Sequence, residues 1–531
     1  MANNLSDIAK LSAKGSFFLF LGKTSSTLIM SLASILIARL LGPEEYGLYI
    51  VALIIPSLLI PLSDLGISFA LTRFSALFLS EKKGRKILDL IKTGIFFKFL
   101  VISFLSLIIL VLSDSIAALI LNRPSIGFFI RLSLLFFIGG AILETLDAVY
   151  IGLDKMEKSS LLMNIQAIAK VLISTVLIIL SMGIIGAILG TGLSLLIASG
   201  VGIIILKFRV FPLLYSDNND NSPNFFQKTR LMTSYGMPLY LSLLTSTFVI
   251  QSQRYILALF VSNAEIGNYS IALNFTFLIN MLTFPIAKSL FPAFSKLSKE
   301  NESVKHKAFK FSVKYTSLLV IPSSIALAVF SEEVIYILYG PQFFLAPNYL
   351  TVYILSFLWV GLGMFVVDVF FNGQGDTSAT LKMHLVSLGV SIPMALLFTY
   401  FYGVLGLLAS FFISQFLSTL YGYIYAYKKY GVSIDWASSL KIGFSASASG
   451  LLVYVFNIFI IIPIISVKLV ISGSLFLFSF LFFAPLFGAL NKVDVENLNE
   501  LTKGLYPIYP IIRSILALES ALISKRKRER S

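Results

Sequence analysis

Along most of the chain, hydrophobic positions run for some twenty residues at a time, and polar residues collect in the short intervals between them. Such runs suit a helical crossing of the ~30 Å hydrocarbon layer, which takes about 20 mainly apolar residues. Barrel strands would instead alternate over about 10 residues, and these runs are uninterrupted. The pattern predicts helices at 17–40, 46–70, 88–113, 126–150, 160–182, 184–207, 232–260, 267–291, 309–330, 348–371, 379–401, 403–427, 438–463 and 467–490. Six of these fourteen fall before residue 208, six more end before 430, and a pair follows.

The pattern repeats. The stretch from Ile37 to Leu77, which begins IARLLGPEEYGLYIVAL, returns 220 residues later from LALFVSNAEIGNYSIAL to FPAFSKL. Without a gap, identical pairs include Ala38/Ala258, Glu45/Glu265, Gly47/Gly267, Tyr49/Tyr269, Leu62/Leu282, Phe74/Phe294 and Ser75/Ser295. The same offset carries Gly183 onto Gly403 and Gly186 onto Gly406. The eleven identities in the first window exceed the roughly three that composition alone would give. Six helices is an even number, so both copies would enter the membrane from the same side. That predicts two parallel six-helix lobes related by a pseudo-twofold along the membrane normal, plus a C-terminal helix pair. The expected divisions are an N-lobe at 1–207, a linker at 208–228 with its DNNDNSPN run, a C-lobe at 229–430, helices 13 and 14 at 431–490, and a basic tail at 491–531.

Composition sharpens this picture. Of 531 residues, 57% are hydrophobic and 13% charged, with a mean hydropathy of +0.90. No soluble domain needs so much apolar surface, so the fold class is an all-α polytopic membrane protein. The absence of cysteine removes disulfides, thiolate metal sites and cysteine catalysis. The N-terminus has polar residues before Phe17 and then an apolar run containing Lys23, with no small-residue cleavage site, and reads as a retained first helix.

The net charge of +15 would suit a nucleic-acid binder if it formed a groove, but it follows the loops. Loop 2–3 carries Arg73, Lys82, Lys83, Arg85, Lys86 and Lys92, and loop 8–9 carries Lys288, Lys296, Lys299, Lys305, Lys307, Lys310 and Lys314. The alternate loops offer Arg123 and Lys468, set against Glu44, Glu45, Glu265, Glu332 and Glu333. Excess Lys and Arg marks the cytoplasmic side, so both termini are expected in the cytoplasm and no nucleic-acid partner is expected. The tail ends in YPIYPIIRSILALESALISKRKRERS, which suits either an interfacial segment beside anionic lipid or a frayed extension.

Three segments carry a resemblance. ARLLGPEEYGLY after helix 1, DLGISFALTRFSA closing helix 2 and YGPQFFLAPNYL before helix 10 resemble the polysaccharide-transporter family, the O-antigen and related flippases of the multidrug/oligosaccharidyl-lipid/polysaccharide superfamily. The likeness covers most of 15–430. It implies two lobes around a central cavity lined by helices 1, 2, 7 and 8. It also implies alternating access that moves a polyprenyl-(pyro)phosphate-linked sugar to the outer leaflet. Its motifs are structural, so they speak to the fold more than to the cargo. Where such proteins often place an acidic residue beside an arginine late in helix 7, this chain has Gln253-Arg254.

A charge at membrane depth costs a few kcal/mol and marks a functional or paired position by default. Here these are Lys23, Arg39, Asp64, Lys98, Arg131, Glu144, Asp147, Lys170, Arg254 and Asp368. Lys23, Thr27, Ser31 and Ser34 form a polar stripe on helix 1; Tyr240, Thr247, Gln251 and Arg254 form one on helix 7; Asn280 lies in helix 8. A wet, cationic cavity accounts for these, since guanidinium forks onto phosphate oxygens and ammonium acts as a point charge. The candidate substrate-binding residues are Arg254, Lys23, Gln251, Asn280, Arg39 and Asp64. Arg39 lies about 160° around the helix from Lys23 and suits snorkelling to the interface. Glu144 and Asp147 share a face on which Lys98 or Lys170 would pair with them. A rival account pairs Arg254 with Asp64.

The expected partners are a lipid-linked oligosaccharide, membrane lipids and glycan-assembly proteins. No cofactor is expected and the coupling ion stays open. His306 and His384 have no metal-ligand spacing, and no GxxxxGK[ST] loop supports ATP hydrolysis. Two other readings stand beside the flippase. Multidrug efflux on the same fold would favour acidic or aromatic cavity residues. A membrane-embedded glycolipid polymerase or ligase would need a polar outer loop with converging catalytic groups, and the outer loops here are short. The chain reads as a transporter and not as an enzyme.

Overall fold

The computed structural model describes residues 2–214, 224–297 and 302–502, with 509–510, 513–514, 516–517 and 519–520 beyond them. The middle of the expected linker and most of the basic tail lie outside the described residues. Those described are helical, with no strand among them. The chain forms two compact units, Met1–Ser270 and Ile271–Ser531.

In the first unit the helices are α1 (Ala2–Ala52), α2 (Ile54–Leu62), α3 (Ile67–Ser80), α4 (Gly84–Ser115), α5 (Gly127–Leu132), α6 (Leu134–Gly152), α7 (Met156–Leu177), α8 (Gly183–Ile205), α9 (Phe211–Leu214) and α10 (Phe225–Phe260). Helix α11 (Asn263–Asn274) begins in this unit. The second holds the rest of α11, then α12 (Thr276–Leu297), α13 (Glu302–Val329), α14 (Ser331–Leu338), α15 (Ala346–Leu355), α16 (Val366–Gly373), α17 (Thr377–Tyr430), α18 (Trp436–Phe459), α19 (Ile465–Phe487) and α20 (Lys492–Thr502).

The protein is a multi-pass membrane protein. Among the described residues eight helical runs are long and apolar enough to cross a membrane, or nine if 346–362 and 366–373, bent by 45°, form one span. Three runs far exceed one crossing: Leu19–Leu62, Met156–Leu214 and Thr377–Tyr430, of 44, 59 and 54 residues. At 1.5 Å per residue a helix of 20 residues already spans the hydrocarbon, so each of these runs must turn. Each does so at glycine. Gly42 has φ 74°, ψ 175°, Gly183 has φ 48°, ψ −128°, and Gly403 has φ 57°, ψ −137°. The last two lie 220 residues apart and share one backbone conformation that L side chains rarely adopt. Beyond Gly183 the chain doubles back, so that a Cβ on Gly190 would meet Ser174 backbone at 2.5 Å and one on Gly186 would meet Leu177 at 2.9 Å. Beyond Gly403, a Cβ on Gly406 would meet the Phe398 carbonyl at 1.9 Å.

The second expected helix, 46–70, is broken. Pro56 cannot donate to the carbonyl of Ala52, and the Ser133 hydroxyl takes that acceptor at 3.2 Å instead. A second break follows at Leu65 and Gly66, with φ 47° and 81°. There the backbones of α3 and α10 touch: a Cβ on Gly66 would lie 2.4 Å from Gly236, and one on Gly236 would lie 2.0 Å from the Gly66 carbonyl. Along the same seam Lys228 meets Asp89 at 3.5 Å, and the Arg73 guanidinium lies 4.4 Å from the centre of the Tyr235 ring. The core of this unit gathers Ile67, Leu71, Ile91, Leu146, Val149 and Tyr150; that of the second gathers Phe294, Phe309, Phe370, Phe371 and Met383.

Candidate functional site

The break between α2 and α3 turns Asp64 into the helix bundle, where Lys98 of α4 neutralises it. Asp64 and Lys98 are each 1% exposed, and the Lys98 ammonium lies 2.7 Å from Oδ1 of Asp64. The same ammonium reaches Glu144 on α6 at 3.4 Å and donates to Ser68 Oγ at 3.3 Å. The Ser68 hydroxyl in turn donates to Asp64 at 2.5 Å, and its backbone N–H at 3.2 Å. A buried charge must be paired and hydrogen-bonded to be tolerated, and this one is both. One turn along α6, Asp147 accepts from the Ser159 hydroxyl. Gly140, Leu143, Glu144, Asp147, Ser159, Leu162 and Met163 line a cavity of about 190 Å³ beside this network.

The structure therefore joins Lys98 to Glu144, one of the two pairings expected for that face. In this structure Asp64 pairs with Lys98 and accepts from Ser68, and no ion pair joins it to Arg254 among the described residues. Lys23 is exposed on α1, and Arg39, also exposed, lies toward the other end of that helix. Thr27 and Ser31 of the polar stripe bond back to the carbonyls of Lys23 and Thr27 at 2.7 and 3.0 Å, and Ser34 meets the Tyr46 hydroxyl at 2.8 Å. Gln251 and Arg254 stand three residues apart on one side of α10. Gln251 is buried with Oε1 unpartnered, and half-buried Arg254 makes no ion pair among the described residues. Asn280 is exposed on α12, in the second unit.

A second polar cluster lies at the α10–α11 corner. Arg123, from the turn after α4, donates to the carbonyls of Ala258 at 3.0 Å and Val261 at 2.6 Å, and to the Asn263 side chain. Glu44, from the α1 corner, accepts from Asn263 Nδ2 at 2.9 Å and from the Ala264 N–H at 3.0 Å. The sequence marked both residues only as loop charges. Ser262 and Glu265 form a capping box across the first turn of α11, with bonds of 3.3 and 3.1 Å, so the SNAE spelling was the available signal. The matched glycines touch here too. A Cβ on Gly47 would sit 1.7 Å from the Asn263 carbonyl, and one on Gly267 would sit 2.2 Å from the Pro43 carbonyl.

No set of three or more His, Cys, Asp or Glu able to hold a metal occurs among the described residues. The sequence profile of the polysaccharide biosynthesis proteins matches residues 12–298, more than half of the chain. The chain belongs to that family. The probable low-salt glycan biosynthesis flippase Agl15 of Haloferax volcanii is 26% identical over 128 residues, which are 24% of this chain and 27% of that protein. The match thus spans about a quarter of the length of that curated relative. Among solved structures, the lipid II flippase MurJ in an inward closed conformation is similar at a TM-score of 0.71 and 15% identity, covering 89% of this chain and 98% of that one. An inward-facing multidrug resistance transporter of the MATE family, in the MOP superfamily, is similar at 0.60 and 15%, covering 76% and 94%. At these identities the likenesses establish a shared fold for this polysaccharide biosynthesis protein.

Proposed function

We propose that this protein is a flippase, moving a polyprenyl-(pyro)phosphate-linked oligosaccharide across the cell membrane for polysaccharide or glycan assembly. Two six-helix lobes, 1–207 and 229–430, alternate access to a cavity between them, joined by the linker at 208–228. Helices 13 and 14 follow at 431–490, making fourteen spans with both termini and the basic tail in the cytoplasm. Family membership supports the reading, as do the equal backbone conformations at Gly183 and Gly403 and the reciprocal approach of Gly47 and Gly267. Lipids and glycan-assembly proteins are its partners.

The observation that carries the reading is Arg254. A permanent cation on the face of α10 beside the unpartnered Gln251 amide oxygen has no carboxylate among the described residues to neutralise it. Arginine cannot readily lose its proton, so an anionic cargo is the economical partner. In this reading Arg254 grips the phosphate as a bidentate fork and Lys23 receives it nearer the cytoplasm. Gln251 and Asn280 bond to sugar or phosphate, and Arg39 serves at the outer end. Asp64 acts through Lys98, holding α3 and α4 in register. Arg254→Lys keeps the charge and loses the fork. It should insert and fold normally yet export lipid-linked glycan poorly, with Arg254→Glu inactive. Full export by a well-expressed Arg254→Ala protein would refute the assignment.

A further inference from the structure

At the end of the bundle that carries the α1 corner, the chain leaves α10 at Val261 and starts α11 at Asn263. A helix end leaves its last carbonyls and first N–H groups without intrahelical partners, and its dipole favours a cation at the C-terminus and an anion at the N-terminus. Both demands are met here from elsewhere in the chain. Arg123 gives the C-terminal end of α10 its cation, bonding to the carbonyls of Ala258 and Val261. Glu44 gives the N-terminal end of α11 its carboxylate, bonding to the Ala264 N–H. The Asn263 amide joins the two, donating to Glu44 and accepting from Arg123.

Three distant segments, around 44, 123 and 258–264, are thus tied by polar bonds, from side chain to backbone and through the Asn263 side chain. These bonds pack no apolar surface, and water can replace each of them. Beneath them Gly47 and Gly267 bring two backbones together with no room for a methyl group. Contact of this kind can part and re-form without repacking a core.

We propose that Arg123 and Glu44 form a polar latch that holds the α10–α11 corner against the α1 corner, and that its release opens this end of the cavity in each transport cycle. They are positioning residues, acting through helix ends and not on the cargo. The proposal rests on the alternating-access reading, but its test needs no substrate. The chain has no cysteine, so a single introduced thiol reports alone. Val261→Cys, at a position 8% exposed, places that thiol beneath the latch; Ala70→Cys, at a position 0% exposed, is the control in the core.

Purified protein in detergent is treated with a hydrophilic maleimide, so membrane sidedness does not enter. Val261→Cys should react slowly, and adding Arg123→Gln or Glu44→Ala should speed it at least tenfold while Ala70→Cys stays protected. Arg123→Lys, which keeps the charge but cannot fork over several carbonyls, should fall between. Unchanged labelling in both latch variants would overturn the proposal, and so would equal acceleration at Ala70→Cys, which marks general loosening. Lipid-linked glycan export, measured separately on the protein without introduced thiols, reports on the flippase reading alone. Loss of that reading with the labelling pattern intact would leave a latch on a transporter of other cargo.

Discussion

Removing the Lys98 ammonium should be among the most damaging single changes in the first unit. At an effective dielectric of about 20, unit charges 2.7 and 3.4 Å apart attract by about 6 and 5 kcal/mol, for Asp64 and Glu144 respectively. Desolvation offsets much of this, because both Lys98 and Asp64 are withdrawn from water. The asymmetry survives the offset: breaking a buried pair by deleting one member costs roughly 3–5 kcal/mol, whereas replacing both by neutral groups is often near neutral. Lys98→Met keeps the stem volume and removes the charge. For a unit of this size each kcal/mol moves the midpoint by about 2–3 °C, so the variant should melt about 6–15 °C lower. Asp64→Asn/Lys98→Met, which leaves an amide able to accept from Ser68, should recover more than half of the loss. The assay is thermal unfolding in detergent at a fixed scan rate, because membrane proteins seldom refold. A Lys98→Met midpoint within 2 °C of the parent, or a double variant no better than the single, would refute the reasoning.

Two further outcomes follow from the connections between the helices. Burial opposes ionisation of Asp376, but hydrogen bonds from Lys429 at 2.6 Å, Tyr430 at 3.0 Å and Ser378 at 3.1 Å outweigh it and hold its carboxyl at about 2. Folding lowers this pKa, so the Asp376 contribution should be complete above about 4 and fade as pH falls toward 2, and Asp376→Asn should lose it at neutral pH, read by pH-dependent unfolding. Thiols at Lys83 or Lys299 should be shielded from an impermeant reagent in intact cells and those at Glu44 or Glu332 labelled; the reverse would invert the topology.

Much of the architecture could be read from the sequence because the bilayer forces every span to be a long apolar helix. The sequence showed Gly183 and Gly403 only as a matched pair at the 220-residue offset; that they turn the chain appears in their positive φ, which only glycine takes cheaply. The Lys98 and Asp64 pair was harder to foresee. Two breaks, at Leu53 and at Leu65–Gly66, rotate α3 relative to an unbroken helix, so angular positions computed along 46–70 cannot say which way Asp64 faces. The Arg123 latch was hidden for another reason. Its acceptors are backbone carbonyls, which every residue carries, so no residue type announces them. Arg254 and Gln251 were legible as a polar pair on an apolar helix, and the structure adds that Gln251 is buried without a partner for its oxygen.

Reconstitution tests transport of a lipid-linked oligosaccharide directly. Purified protein would be placed in liposomes holding a fluorescent polyprenyl-diphosphate oligosaccharide in both leaflets, and an impermeant quencher of the labelled sugar added outside. With active protein nearly all the fluorescence should be quenched, while Arg254→Glu and protein-free vesicles should stop near half. Quenching that stops near half with folded wild-type protein, in vesicles where it moves an amphipathic organic cation, would contradict the flippase and favour efflux.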